Sequence, residues 1–573
     1  MKRKSALLFL LGSVLLSLTT LTFSQSSEPV PTLVPPTLVA TPNRGVNDSL
    51  SSESVIARVM REGKVRVGVL YNEPPFGELT VRGEVRGFDA DLARKIAEAW
   101  GVEVEFVQVT RQNGIQAIQN QTIDLLIAAQ VRRRDLDALV EFSQTYRISQ
   151  QAMMVRNDDP AETLFNMTSR KVGYVMGTES EKAVLDWQVK NGITLLTQPF
   201  LTLDQAISAL FANQIDGVVG RNEQLLRVSA DQVFSAKILE DAVAIEPFAI
   251  AMPRQDVNLR NLVNKTLQYL QKNKTMQSLY GTYFQGQAFA EDALPIYNGV
   301  SDDEAPQLSQ FPTDIRFPQQ YIMPNLLQNR VLRVAGMITP PQEASEADKR
   351  VYEFNRQLLE QMTRRWGVQI QYIDGGDVFE MLELGQADLA INVGLDWSVT
   401  NRVDFSQPYM FHGDRLMIKT NSGITGFNEL RGKWVAIMHT DTGAQDRAQV
   451  WADSINARVR FYSAFEQDAA QAMLVENNAD VTYGDSLKLL QHLLANPNNL
   501  TLTDRWYSRV YVGFAVPRND IDFRLLVDYT LQEMTADGTL DNLLALVLPP
   551  NSDLPKFDII PGAQDYYGLR VGN

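Results

Sequence analysis

Two long stretches of this chain repeat each other block by block, and that duplication limits the possible folds more than any other feature. Trp100-Gly101-Val102 recurs as Trp366-Gly367-Val368, Glu141–Tyr146 (EFSQTY) as Asp404–Tyr409 (DFSQPY), and Asn213–Gly220 (NQIDGVVG) as Asn477–Gly484 (NNADVTYG). The blocks keep their order, and the offset between partners stays between 263 and 266 residues. Solenoid repeats have periods of about 20–50 residues. A period several times longer marks two whole modules in series.

Within each copy, short β-branched runs alternate with amphipathic helices. Val65–Leu70 reads as a strand, Asp89–Trp100 as a helix stopped by Gly101, Val102–Val109 as an alternating strand and Ile123–Ala128 as a buried strand. In the second copy Leu332–Met337 opens the same pattern. Such alternation implies parallel sheets with helices on their faces.

Composition excludes several classes. With 0 cysteines the chain has no disulfide, no thiolate metal site and no cysteine to carry a lipid anchor. Its 3 histidines make a His-rich metal site an unpromising reading, and no metal or cofactor is expected. A formal net charge of −15 lacks the basic face that nucleic-acid binding needs. Lys2, Arg3 and Lys4 precede an apolar run from Ala6 to about Phe23, which reads as an export signal over residues 1–24, cleaved or retained as an anchor. Residues 25–53 are rich in Pro, Ser and Thr and read as an extended stalk. The expected layout then runs through module 1 (54–290), a Pro-, Gln- and Asp-rich linker (291–326), module 2 (327–550) and a tail (551–573). Everything after the signal is expected outside the cytoplasm.

The order of these blocks resembles the type II periplasmic solute-binding proteins, in the family 3, polar amino-acid-binding branch. The resemblance rests on VRVGVLYNEPPFGELTVRGEVRGFDADLARKIAEAWGV, on EFSQTY and DFSQPY, and on the lobe-two openings RKVGYVMGTES and ELRGKWVAIMHTDTG. It implies an α/β fold of two tandem modules, each with two lobes, two crossover strands and a ligand cleft that closes by hinge motion. It also implies a small-molecule ligand, an amino acid or related acid, and an ABC transporter permease as partner.

The resemblance implies a site only where residues match. The family's carboxylate-binding arginine falls, without gaps, on Leu136 and Val399, so the nearby Arg132, Arg133 and Arg134 in copy one and Arg402 in copy two are the substitutes to consider, as ligand contacts or as surface residues. The lobe-two anion loop corresponds to Gly177, Thr178, Glu179 and Ser180 in copy one and to Thr440, Asp441, Thr442 and Gly443 in copy two. The same residue types also serve as helix caps. The family's ammonium-binding aspartate is kept as Asp485 but replaced by Arg221, which reverses the charge in copy one. The aromatic-proline turn offers Tyr71, Glu73 and Phe76 in copy one, with Phe76 equally readable as core; copy two has no ring there, and Trp397 is the stand-in. Asp89 and Asp124 read as capping or turn residues. Copy two, which keeps the acid, is expected to respond to a small polar or acidic amino acid. The competing functions are a sensing or partner-binding ectodomain and a cyclohexadienyl-dehydratase-like enzyme with Glu73 or Glu179 as acid or base. No nucleophile elbow, phosphate loop or zinc motif accompanies the latter, so a non-enzymatic role is expected.

Overall fold

The computed structural model describes residues 53–231, 235–285, 287, 294–439, 441–464 and 469–548. The signal, most of the stalk and the C-terminal tail lie outside the described residues. Among these residues, no helix is long and apolar enough to cross a membrane.

Each half folds as two α/β lobes. In module 1 the sheet order is Glu103–Val109, Lys64–Leu70, Leu125–Leu126, Ala244–Pro253, Val140–Arg156, Gly217–Arg221, Lys171–Val175 and Leu196–Phe200. The first three strands are parallel and belong to lobe 1, and the last three are parallel and belong to lobe 2. The 17-residue strand Val140–Arg156 and its antiparallel partner Ala244–Pro253 run through both lobes as the crossover. In module 2 the same plan is split into two sheets, one around Val331–Ala335 and Val510–Pro517 and one around Trp434–Met438 and Asp414–Lys419. The chain passes between them at Gly413, where a Cβ would lie 2.2 Å from the Ser508 carbonyl oxygen. Only glycine allows that close approach.

The repeated sequence blocks turn out to be framework. Trp100 and Trp366 end equivalent helices, capped by Gly101 and Gly367 at φ 69° and 65°. Their indole N–H groups donate to Thr266 Oγ1 at 2.9 Å and Thr530 Oγ1 at 2.8 Å. In the Phe-Ser-Gln blocks, Ser143 and Ser406 accept from the Ile250 and Phe514 backbone N–H groups at 2.9 and 3.0 Å. Asp124 and Asp388 are buried and each forks an arginine, Arg66 or Arg333, with a 2.7 or 2.8 Å bond from its backbone as well. Asp256 and Asp520 cap equivalent helices and also accept from Val55 N–H and Ile322 N–H, both at 2.7 Å. These bonds tie the helices Val55–Glu62 and Ile322–Asn329 to their modules. The second of these helices begins inside the segment read from sequence as linker. Much of that segment is packed, with Leu294, Val300 and Leu308 buried.

The two modules meet through lobe 1 of each, and the contact is reciprocal. Arg524 donates to both carboxylate oxygens of Glu141 at 2.9 and 2.7 Å, while Arg260, 264 positions earlier, donates to Asp404 at 2.6 Å. Gln532 accepts from Arg134 Nε at 2.8 Å, and its counterpart Gln268 accepts from Trp397 Nε1 at 2.8 Å. Arg254 reaches Asp522 at 2.6 Å, and Arg518 reaches Asn258 at 2.5 Å. Residue i of one module meets j of the other while their counterparts meet in exchanged roles, which is the pattern of an isologous interface. The central charges are buried, so each needs its partner. Burial alone would raise the Glu141 and Asp404 carboxyls, but the arginines facing them outweigh it and hold both below the usual range.

Two predictions follow from this framework. Replacing Arg524 by Ala leaves Glu141 buried beside a more distant Arg260 (3.6 Å) and should cost about 3–5 kcal/mol in chemical unfolding. As the control for this first prediction, removing the exposed Lys95–Glu98 pair should cost less than about 1 kcal/mol.

The second concerns Asp89, which accepts from Tyr146 Oη at 2.9 Å and Ala129 N–H, and which burial pushes up to about 7. A carboxyl raised in the folded state binds more protons there than when unfolded. Its contribution therefore falls as pH rises from about 4 to about 7 and is level above. Module 2 carries the uncharged Asn355 at this position, also buried. Asp89→Asn should flatten the decline in unfolding free energy over that window, by on the order of 1 kcal/mol per pH unit.

Candidate functional site: the interlobe cleft of module 1

A cavity of about 470 Å³ opens between the lobes of module 1. Lobe 1 supplies Asn72 and Glu73 from the turn after its first strand, and Thr110, Arg111 and Gln112 from the loop after Val109. Lobe 2 supplies Met176–Ser180, Leu201–Leu203, Arg221 and Gln224, and the crossover supplies Gln151. The walls are thus loops at the carboxyl ends of parallel strands, where open α/β sheets place ligands.

The charged groups of the cleft are joined across it. Glu73 Oε1 accepts from Arg221 Nη1 at 2.7 Å, from Arg111 Nη2 at 2.9 Å and from Gln224 Nε2 at 3.2 Å. Arg221 also donates to Glu246 at 3.0 Å and lies 5.5 and 5.0 Å from the Phe76 and Phe248 ring centres. Although burial opposes its charge, the surrounding Glu246, Glu73 and Glu223 carboxylates keep Arg221 firmly protonated. At the rim, Arg133 Nη1 lies 3.5 Å from Glu179 Oε1, on the first turn of the helix Glu179–Asn191. Thr178 is that helix's N-cap, and its hydroxyl donates to the Val175 carbonyl at 2.7 Å. Gly177 precedes it at φ 73°. Gln151 is buried, gives its amide N–H to Glu246 at 2.8 Å, and leaves its side-chain carbonyl oxygen without a hydrogen-bond partner among the described residues. A donor on a bound molecule would satisfy it.

Of the residues singled out from sequence in copy one, Glu73, Gly177, Thr178, Glu179, Ser180 and Arg221 line this cavity. Arg133 stands at its rim. Phe76 does not face it: the ring is fully buried, edge-on to Phe248 at 5.3 Å, beneath Arg221 rather than over a ligand. Arg134 points the other way, into the interface between modules. In copy two, Trp397 is buried in the same interface, 5.2 Å from Tyr297, and does not compensate for the missing ring. Arg402 lies on the lobe-1 surface, held by Asp377 at 3.0 Å and Glu383 at 2.6 Å. Asp485 caps the helix Ser486–Ala495 through Leu487 N–H and bonds His412 Nδ1 at 2.6 Å. Thr440 lies outside the described residues, and Thr442 is exposed, with Arg447 Nη1 donating to its carbonyl at 3.4 Å. Arg447 forks Asp414 at 2.6 and 3.0 Å and reaches Asp441 at 3.0 Å. Asp485, His412, Arg447, Asp414 and Asp441 are therefore committed to one another or to a helix cap.

Arg111, Gln112, Gln151 and Gln224 were missed by sequence reasoning. Only the loop position of Arg111 and Gln112, just after an alternating strand, gave any signal. Among the described residues, no group of three or more His, Asp and Glu side chains could hold a metal ion.

A two-lobed α/β module with a polar cleft at its crossover defines a class of small-molecule receptor. The sequence model for "Bacterial extracellular solute-binding proteins, family 3" matches residues 65–286 and again 332–546, and the chain belongs to that family, twice over. Among relatives, the ABC transporter glutamine-binding protein of Bacillus subtilis (strain 168) is 25% identical over 251 residues, which is 42% of this chain and 90% of the relative. The histidine-binding periplasmic protein of Salmonella typhimurium is 22% identical, over 39% of this chain and 87% of the relative. A solved ancestral arginine-binding protein bound to glutamine is 31% identical, covering 39% of this chain and 98% of that one, with a TM-score of 0.34.

The buried pairing around Arg221 makes a prediction. Arg221→Met strands the Glu246 carboxylate and should destabilise the chain by about 3–5 kcal/mol. Adding Glu246→Gln should restore most of that loss in urea unfolding, because the stranded charge is gone.

Proposed function

We propose that this protein captures a small polar solute, an amino acid or related acid, in the cleft of module 1 and delivers it to an ABC-type permease from outside the cytoplasm. The observation that carries this reading is the module 1 cavity, which both lobes line with guanidinium, carboxylate, amide and hydroxyl groups. Its volume is within the range of about 300–1,000 Å³ common to small-molecule sites. Arg111 and Arg221 offer donors for a carboxylate, and Glu73 with the unpartnered Gln151 oxygen offers acceptors for an ammonium or amide. The likeness to glutamine- and histidine-binding proteins supports an amino acid as the ligand class. Sequence favoured copy two as the responsive half. The engagement of Asp485 with His412 and a helix cap moves the preference to module 1. The role is capture by lobe closure, without catalysis, and closure is favoured to the extent that the solute binds the closed form better.

The test is a thermal-shift and calorimetric screen of the full chain against the amino acids and small organic acids. A solute at 100 times its dissociation constant should add about 2.7 kcal/mol of stability. Arg111→Met should then weaken binding by about tenfold or more, as expected for loss of a charged hydrogen bond. A screen without any shift would replace capture by a partner-binding role.

A further inference from the structure

We infer that module 2 is a positioning element for the cleft of module 1: its helix Ile521–Ala536 holds the loop that carries Arg133 to the cleft rim. This rests on the reading of that cleft as the solute site.

The residues concerned are consecutive. Arg133 has extended backbone, φ −138° and ψ 141°, so its side chain and that of Arg134 leave the chain on opposite sides. Asp135 of the same loop forks Arg133 at 3.0 and 2.6 Å, and the remaining Nη1 of Arg133 faces Glu179 of lobe 2 across the cleft mouth at 3.5 Å. Arg134 enters the interface, where Gln532 accepts from its Nε at 2.8 Å and its guanidinium lies 4.2 Å from the centre of the Tyr529 ring. Tyr529 also donates its hydroxyl to Asp137 at 2.6 Å. Tyr529 and Gln532 are three residues apart on one helical face, so one turn of module 2 grips the loop at both ends, Arg134 and Asp137. Within module 1 the loop is tied by Arg132 N–H to the Pro247 carbonyl at 2.8 Å and by Arg254 Nε to the Asp137 carbonyl at 2.8 Å. The side chain of Arg134 is anchored by the other module. The Arg133–Glu179 contact, one of those that hold lobe 1 to lobe 2, therefore sits on a loop whose geometry the other module sets.

The device is built from the pseudo-twofold interface but is not symmetric in function. The counterpart of Arg134 is Trp397, held by Gln268 at 2.8 Å and approached by Lys265 at 5.8 Å. The residue before it, Asp396, bonds the Ser398 N–H in its own loop at 2.7 Å. The loop of module 2 is thus held through Trp397 but offers no arginine to its cleft at the corresponding place.

The experiment uses the full chain, whose lack of cysteine allows unique labels. Spin labels at Glu98→Cys in lobe 1 and Asp186→Cys in lobe 2, both exposed, report the interlobe distance without any solute. In Gln532→Ala, and in the milder Tyr529→Phe, the distribution should broaden toward longer distances, and exchange of the Leu136 and Asp137 amides should rise by about tenfold. Gln532→Glu, which keeps an acceptor for Arg134, should restore the parent behaviour. Affinity for l-glutamine, used as the probe solute, should fall with the first two variants and recover with the third. An interlobe distribution unchanged in both Gln532→Ala and Tyr529→Phe overturns the inference, as does a change that Gln532→Glu shares. If the parent chain binds no amino acid at all, the solute reading fails, while the solute-free distance still decides the positioning role.

Discussion

Four buried side chains, Glu141, Arg260, Asp404 and Arg524, hold this molecule in its arrangement. Each carries a charge that would be costly to bury alone, and each is neutralised by a residue of the other module. Because hydrogen bonds to charged groups are directional, the contact fixes the orientation of one lobe 1 against the other. The connecting segment then runs across a formed interface: Tyr297 N–H and the Trp397 indole share the Gln268 carbonyl oxygen at 2.9 and 2.8 Å. Both second lobes lie outside this contact, leaving each cleft its own crossover.

The interface also reassigns residues that the family pattern alone places near ligands. Arg134 and Trp397 occupy equivalent positions in loops that approach the clefts, and both turn away into the neighbouring module. The acid that opens each Phe-Ser-Gln block does the same. Gln144 and Gln407 of these blocks receive the side-chain oxygens of Asn264 and Asp528 at their backbone N–H groups, at 2.8 and 2.7 Å, so these positions bind strand to helix inside each module. What persisted between the copies is the scaffold and its mutual docking surface. What diverged is the cleft. Arg221 and Asp485 stand at matching ends of equivalent strands, one knitting Glu73 to Glu246 and the other capping a helix beside His412.

Much of the fold was legible because it depends on local pattern. Periodicity marked the helix that ends at Trp100 and the strand Lys64–Leu70, glycine marked the helix stops at Gly101 and Gly367, and the constant offset marked the two modules. Asp89 and Asp124 were read as framework residues, and both are buried and fully engaged. The site was legible only in part. Glu73, Thr178 and Arg221 come from motif positions and do line the cavity, whereas Arg111, Gln151 and Gln224 belong to no motif. Phe76 could not be assigned, because a ring after a Pro-Pro turn packs equally well over a ligand or under an arginine until the neighbouring Phe248 is in place.

The sequence by itself determined the duplication, the α/β lobes, the membership of a solute-binding family and the reversal of charge at Arg221. These properties follow from the order and spacing of residues along one chain. Only the tertiary structure decided which arginines face a cleft and which face the other module, since Arg133 and Arg134 differ by one residue and point in opposite directions. It alone showed that Arg221 is neutralised from two sides, by Glu73 of one lobe and Glu246 of the crossover. The physical reason is that a side chain's partner in a buried ion pair is chosen by distances across the fold, here up to 383 residues apart in the chain, which no local pattern encodes.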